Sequence, residues 1–158
     1  MQNYADTPGV AMQVSRDVVV ASIQVDLDDG VLARFREELL HRVQETGSRG
    51  VILDVSGLET LDSDEFAALR RIMTMVSIMG AEAVLAGLRP GVVSALIEAG
   101  ADTDGLRAAI NLDAAFTLLQ LEPGNDAAVA EESGKTADAH ADPDADPDAD
   151  PHARHAEP

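Results

Sequence analysis

The chain has 158 residues, with 29 Asp and Glu against 11 Lys and Arg, 4 histidines and no cysteine. This length suits one domain of ordinary size, and the formal net charge of −18 argues against nucleic acid as a partner, because phosphate binding needs clustered Lys and Arg. The absence of cysteine excludes disulfides, thiolate metal sites and a cysteine nucleophile.

The C-terminal part of the chain differs in composition from the rest. Residues 123–158 hold 10 acidic residues against 2 basic ones and repeat Asp-Pro and Asp-Ala pairs, so they cannot bury enough apolar surface to form a core. We therefore expect a flexible N-terminus over 1–9, one domain over 10–122 and a disordered acidic tail over 123–158. No secretory signal or apolar run of about 18 residues is visible, which predicts a cytoplasmic protein with no membrane partner.

The first elements of the domain read as a hairpin followed by a helix. β-Branched residues over 18–25 predict a strand that ends at an acidic turn over 26–30. Residues 10–14 predict a weaker strand that pairs with it in an antiparallel hairpin. Apolar residues at helical spacing over 31–46 predict a surface helix, and Gly47 supplies its stop.

Strands and helices then alternate to the end of the domain. The short apolar run over 51–55 is typical of a strand covered on both faces, and the spacing over 63–79 predicts a second helix. A strand, a helix that begins with proline, an edge strand and an amphipathic helix are predicted over 83–86, 90–99, 107–110 and 113–121. The order β-β-α-β-α-β-α-β-α indicates an α/β sandwich, with about four helices covering a mostly parallel sheet of four or five strands.

One local group of residues has a chemical rationale. Asp62 and Glu65 have the spacing of a capping box at the start of the second helix. Ser63 would then lie at a helix N-terminus, where a phosphate would meet unpaired N–H groups and the positive end of the helix dipole. From local spacing alone, a second capping serine is the simpler interpretation of Ser63.

Patterns for catalysis or metal binding are otherwise weak. The sequence has no Ser-His-Asp arrangement, Walker A loop or GxGxxG motif, so we expect no catalytic residue, no cofactor and no enzymatic activity. Asp54 is interpreted as the cap of a turn at its strand end, and His41 as a solvent-facing helix residue. The remaining histidines, His140, His152 and His155, lie in the acidic tail. No metal site is therefore expected.

Six short stretches resemble one family. They are Ser-Ile-Gln-Val-Asp-Leu-Asp-Asp at 22–29, Glu-Thr-Gly at 45–47, Val-Ile-Leu-Asp at 51–54, Leu-Asp-Ser at 61–63, Met-Gly-Ala at 79–81 and Gly-Leu-Arg-Pro at 87–90. Together they resemble STAS proteins of the RsbS type, small scaffold subunits of the bacterial stressosome, in register from about Val14 to Leu119. The first stretch separates this type from ordinary anti-sigma-factor antagonists.

The resemblance implies a STAS-type sandwich whose second helix begins at a phosphorylatable serine. That role is carried onto Ser63, within a switch region of Asp62, Ser63, Asp64, Glu65 and Arg89. It implies a serine kinase of the GHKL type and larger STAS paralogues as partners, in a homo-oligomer or a large hetero-assembly, with phosphorylation releasing the kinase. A free anti-sigma-factor antagonist and a nucleotide-binding STAS module are the alternatives.

The chain departs from the family pattern in two places. Asp64 and Glu65 follow Ser63 where apolar residues are usual, so three carboxylates, with Asp62, surround the acceptor and would repel a phosphate. This predicts either a kinase surface rich in Arg and Lys or slower phosphorylation. The acidic tail is the second departure, and it is either a solubilising brush or passive.

Overall fold

The computed structural model describes residues 9–121, and within them the elements follow the predicted order β-β-α-β-α-β-α-β-α. The strands are β1 Ala11–Ser15, β2 Val18–Ser22, β3 Gly50–Asp54, β4 Glu82–Ala86 and β5 Ala108–Ala109. The helices are α1 Asp29–Thr46, α2 Ser63–Ile78, α3 Pro90–Glu98 and α4 Leu112–Leu121. The predicted flexible N-terminus up to residue 8, the acidic tail and its three histidines lie outside the described residues.

The five strands form one sheet in the order β1-β2-β3-β4-β5. Only β1 and β2 are antiparallel, and every other neighbouring pair is parallel, which confirms the mostly parallel sheet. The parallel strands β2, β3 and β4 are in step, with Ser22 beside Asp54 and Asp54 beside Ala86. The loops that leave these strands therefore emerge together at one edge of the sheet, where binding residues of open α/β sheets usually lie.

Each face of the sheet buries its own set of side chains. Val19, Val51 and Leu85 belong to the larger cluster, together with the buried residues of α1, α2 and α3. Val20 and Ile52, which alternate with them along the strands, belong to a second cluster with α4. Consecutive right-handed crossovers explain why three helices share one face. Both faces of the sheet are covered, so alternate side chains of a strand all enter a core, which explains the continuously apolar strand sequences.

The start of α1 differs from its prediction. β2 ends at Ser22, although the β-branched pattern predicts a strand over 18–25. The helix begins at Asp29, because the Asp28 carboxylate accepts the Val31 N–H at 2.8 Å and caps the first turn. Part of the predicted acidic turn is therefore the beginning of the helix.

The last strand is shorter than its prediction over 107–110. It comprises only Ala108–Ala109, and Ile110 beyond it is 81% exposed. The Asn111 side chain accepts the Ala114 N–H at 2.8 Å, so it caps α4 and commits the chain to a helix directly after the strand.

Candidate functional site

Two loops at the carboxyl edge of the sheet hold the predicted switch residues. One runs from β3 to α2, which begins at Ser63, and the other runs from β4 to α3, which follows Arg89. The loops are in direct contact at Gly87, where a Cβ would lie 2.8 Å from the Ser56 Cβ. Gly87 has φ +83°, a conformation that disfavours any residue with a side chain.

The predicted capping box is confirmed at the start of α2. The Asp62 Oδ1 accepts the Glu65 N–H at 2.8 Å, and the Glu65 Oε2 accepts the Asp62 N–H at 2.9 Å. The Phe66 N–H donates to the Asp62 carbonyl at 2.9 Å and opens the helical ladder. The first turn is therefore fixed by local contacts, and the position of Ser63 is fixed with it.

Ser63 itself takes no part in capping. It is the first residue of α2 and is half-buried, and among residues 9–121 its hydroxyl has no hydrogen-bond partner. The first-turn N–H groups of Ser63 and Asp64 likewise have no acceptor in that part of the chain. An anion on the Ser63 oxygen would thus meet two N–H donors and the positive end of a helix dipole without displacing the existing caps.

The three carboxylates beside Ser63 are not equivalent. Those of Asp62 and Glu65 each accept a backbone N–H, whereas the carboxylate of Asp64, an exposed residue, has no hydrogen-bond or ion-pair partner in the described range. Solvent and salt screen an exposed charge. The repulsion expected from sequence is therefore partly offset by the capping bonds of two of the carboxylates.

Arg89 lies at the same edge but makes a different contact. Its Nη2 donates to the Ser56 carbonyl at 3.2 Å, while the Asp54 Oδ1 accepts the Ser56 N–H at 3.0 Å, which confirms Asp54 as a turn cap. Within residues 9–121, no hydrogen bond or ion pair joins Arg89 to the capping box. The structure thus places Arg89 at the loop that leads to Ser63, and not on Ser63 itself.

A groove of about 380 Å³ lies between the start of α2 and α3. Asp62 and Glu65 line one side of it, and Gly91, Val92 and Ala95 line the other. On a different side of α3 from the groove, Val93 is 36% exposed and Ile97 is 65% exposed.

Sequence analysis did not single out this exposed surface of α3. A signal was nevertheless present. In the helix, Val92 and Leu96 form one apolar pair at i, i+4, and Val93 and Ile97 form a second pair on a neighbouring stripe. One stripe is buried in the core, so the other is left to face solvent or a partner.

A second contact ties α2 to the segment that follows α3. Arg70 forms an ion pair with the Asp102 carboxylate at 3.0 Å. Its guanidinium also donates to the Asp102 carbonyl and, at 2.7 Å, to the Asp104 carbonyl. The Asp104 N–H, followed by the Arg70 guanidinium, holds the pKa of Asp102 below its ordinary value. The helix that begins at Ser63 is thereby fastened to the loop at the far end of α3.

The family model of the STAS domain matches residues 9–106. The chain belongs to the STAS domain family. A serine-to-glutamate variant of Moorella thermoacetica RsbS is 32% identical, with a TM-score of 0.61, over 70% of this chain and 94% of that one. A structure described as the molecular architecture of the stressosome, a signal integration and transduction hub, is also 32% identical, with a TM-score of 0.62, over 70% of this chain and 96% of that one.

More distant solved structures share the fold alone. The phosphorylated form of the Bacillus cell-fate determinant SpoIIAA is 15% identical, with a TM-score of 0.51, over 70% of this chain and 99% of that one. Among curated proteins, no sequence matches the chain. The helices within residues 9–121 are all too short or too polar to cross a membrane, and the same residues contain no group of three His, Asp or Glu placed to hold a metal ion.

Proposed function

We propose that the chain is a cytoplasmic, non-enzymatic regulatory scaffold of a stressosome-type complex. It sequesters a serine kinase of the GHKL type and releases it when Ser63 is phosphorylated. The observation that carries this proposal is the position of Ser63, half-buried as the first residue of a capped helix beside an open groove. The 32% identity to an RsbS protein supports it.

The proposed switch acts through charge at the edge of the groove. In the unmodified chain a partner surface can cover the groove between Asp62, Glu65 and Ala95 together with a neutral serine hydroxyl. Phosphorylation adds a charge of about −1.5 to −2, and the N–H groups of Ser63 and Asp64 would hold it at the helix start. A docked partner would then have to desolvate that charge, which is costly unless it is paired, and an acidic partner surface would also be repelled.

The proposal favours a scaffold over a free anti-sigma-factor antagonist. The RsbS and stressosome structures are 32% identical to this chain, whereas the SpoIIAA structure is 15% identical. Light scattering with a larger STAS paralogue separates the two functions. A scaffold forms an assembly of megadalton scale, and a free antagonist binds its kinase without forming a particle.

Phosphorylation is tested on the full chain with a GHKL-type serine kinase from the same organism and Mg-ATP. Phosphopeptide mass spectrometry is expected to place the phosphate on Ser63, and Ser63→Ala is expected to abolish incorporation. Ser56→Ala is the matched control, because Ser56 is an exposed serine of the same loop and its loss is expected to leave incorporation unchanged. An unmodified Ser63 would contradict the switch.

Kinase capture is measured with the same proteins by biolayer interferometry. Ser63→Glu is expected to weaken binding at least about tenfold, which corresponds to ~1.4 kcal/mol, while Ser56→Glu is expected to bind as the wild type does. Equal affinities of the two variants would contradict the proposed docking edge. Calorimetry with ATP and GTP on the chain alone tests the nucleotide-binding alternative. That alternative requires a measurable heat of binding for one of the two nucleotides.

A further inference from the structure

The strand β1 leaves one edge of the sheet open. It pairs with β2 on one side and, within residues 9–121, with nothing on the other. Natural edge strands are usually protected by charge, proline, bulges or short length, and β5 at the opposite edge is only two residues long. β1 has five residues, and residues 9–15 contain no charge and no proline although the chain carries a net charge of −18.

The hairpin turn determines which backbone groups of β1 point outwards. Ser15 lies opposite Val18, and Arg16 and Asp17 between them both have positive φ, 55° and 63°. A two-residue turn of this kind is closed by a hydrogen-bonded pair, and hydrogen-bonded pairs then alternate along the ladder. The closing pair is therefore Ser15 with Val18.

Counting back from this pair, Gln13 bonds to β2, whereas the N–H and C=O groups of Met12 and Val14 point away from it. The side chains alternate in the same way. Met12 and Val14 lie opposite Ala21 and Val19, which face the cluster of α1 to α3, and Val14 is 44% exposed. The exposed Gln13 side chain points to the other face of the sheet.

We infer that a second copy of this chain pairs with β1 in antiparallel orientation, about a two-fold axis at Gln13. In this register Met12 lies opposite Val14 of the second copy, and Val14 lies opposite its Met12. Both pairs exchange their outward N–H and C=O groups, because all of these groups face the open edge. The two sheets then form one continuous sheet.

The side chains match under the same two-fold operation. Met12 and Val14 of the two copies form an apolar group on the face of α1 to α3, and on the other face Gln13 meets Gln13, which can exchange amide hydrogen bonds. An uncharged strand is also the segment at which two acidic chains meet with little local repulsion. A self-complementary surface of this kind is the requirement for a two-fold dimer.

A single strand pair buries little area, and small interfaces are weak. Dimerisation is therefore expected at high micromolar concentration and is expected to strengthen with salt, which screens the net negative charge of both copies. The inference concerns an edge of the sheet away from Ser63, so it does not depend on the proposed function.

Cysteine cross-linking of the full chain tests the register, since the natural sequence has no cysteine. Gln13→Cys places two thiols at a non-hydrogen-bonded pair, where Cα atoms are about 4.5 Å apart, within the range that a disulfide bridges. Ser15→Cys is the matched control. In the same register its two thiols are offset by four residues, or about 13 Å along the strand, which a disulfide cannot bridge.

Under mild oxidation the Gln13→Cys variant is expected to form a covalent dimer at least about tenfold faster than Ser15→Cys. Adding Val14→Pro to Gln13→Cys is expected to abolish the cross-link, because it removes an outward N–H that β2 does not use. Val14→Lys is a second variant that keeps the N–H but puts charge at the edge. Circular dichroism and urea denaturation of all these variants are expected to match those of the wild type and to show that they are folded.

Equal cross-linking rates for the two cysteine variants would overturn the inference. So would light scattering that finds only monomer at millimolar concentration in high salt. Neither result would affect the switch at Ser63, whose readouts are phosphorylation and kinase capture. Conversely, an unmodified Ser63 with efficient Gln13→Cys cross-linking would reject the switch and keep the dimer.

Discussion

The first turn of α2 combines a complete cap with two donors that stay available. The carboxylates of Asp62 and Glu65 fix the ends of the turn, while the N–H groups of Ser63 and Asp64 keep no acceptor among residues 9–121. A helix start that is already capped needs no rearrangement when an anion arrives. Stability and switching at this site are therefore carried by different residues, which can be changed one at a time.

Asp62→Ala is expected to lower the free energy of unfolding by about 1 kcal/mol, a typical cost for loss of an N-cap. The substitution removes the acceptor of the Glu65 N–H. Urea denaturation monitored by circular dichroism measures the change. Asp64→Ala is the matched control and is expected to stay within about 0.5 kcal/mol, since the Asp64 side chain is exposed and has no bonding partner in the described part of the chain. Equal losses would contradict the assignment of the cap.

The spacing of residues in the sequence predicts contacts between near neighbours in the chain and misses contacts between distant residues. Asp62 and Glu65 are three residues apart, so their capping box follows from helix geometry. Arg89 reaches a carbonyl 33 residues earlier in the chain, and Arg70 reaches one 32 residues later. Such pairs depend on how the helices and loops pack against one another, which the spacing of single residues does not encode.

The loops after β3 and β4 touch where only glycine fits. Gly87→Ala is expected to cost at least about 2 kcal/mol, because a side chain at φ +83° is strained by roughly 1–2 kcal/mol and the new Cβ would lie 2.8 Å from the Ser56 Cβ and 3.0 Å from its backbone nitrogen. Thermal and urea denaturation give the loss of stability. The reason is steric and conformational, so a larger side chain is expected to cost more.

Gly91→Ala is the matched control for this substitution. No atom lies within 4 Å of a Cβ built at Gly91, and the residue is in the first turn of α3. Alanine restricts the unfolded chain and favours the helix, so a gain of up to about 1 kcal/mol is expected. If both glycine variants lost stability equally, close contact between the two loops would be refuted.

The order of elements could be predicted because each hydrophobic period is long enough to identify its strand or helix. Their ends were less predictable. The β-branched pattern over 18–25 continues past Ser22, yet the chain leaves the sheet to reach the cap at Asp28. The outward pair Val93 and Ile97 was missed for a related reason, since the apolar content of α3 does not say which stripe is buried.

The whole molecule carries negative charge both in the part that forms the core and in its C-terminal segment. Both hydrophobic clusters are built from residues between Val10 and Leu119, whereas residues 123–158 hold 10 of the 29 acidic residues and 2 of the 11 basic ones. The remaining 19 acidic and 9 basic residues still leave the domain acidic. A net negative charge slows the approach of acidic partners and favours basic ones.

Truncation after Glu122 is expected to leave the thermal midpoint unchanged, because the described clusters use no residue beyond Leu119. A fall of about 4–8 °C, equivalent to roughly 1 kcal/mol in a small domain, would contradict this and show that the tail stabilises the domain. Ser63 phosphorylation is expected to persist in the truncated chain.

A control of full length, with the acidic residues of 123–158 replaced by Asn and Gln, separates loss of charge from loss of length. If the truncated chain and the charge-neutral chain both assemble and capture kinase as the natural chain does, the tail is passive. If the affinity for the kinase changes equally in both variants, the charge of the tail is responsible.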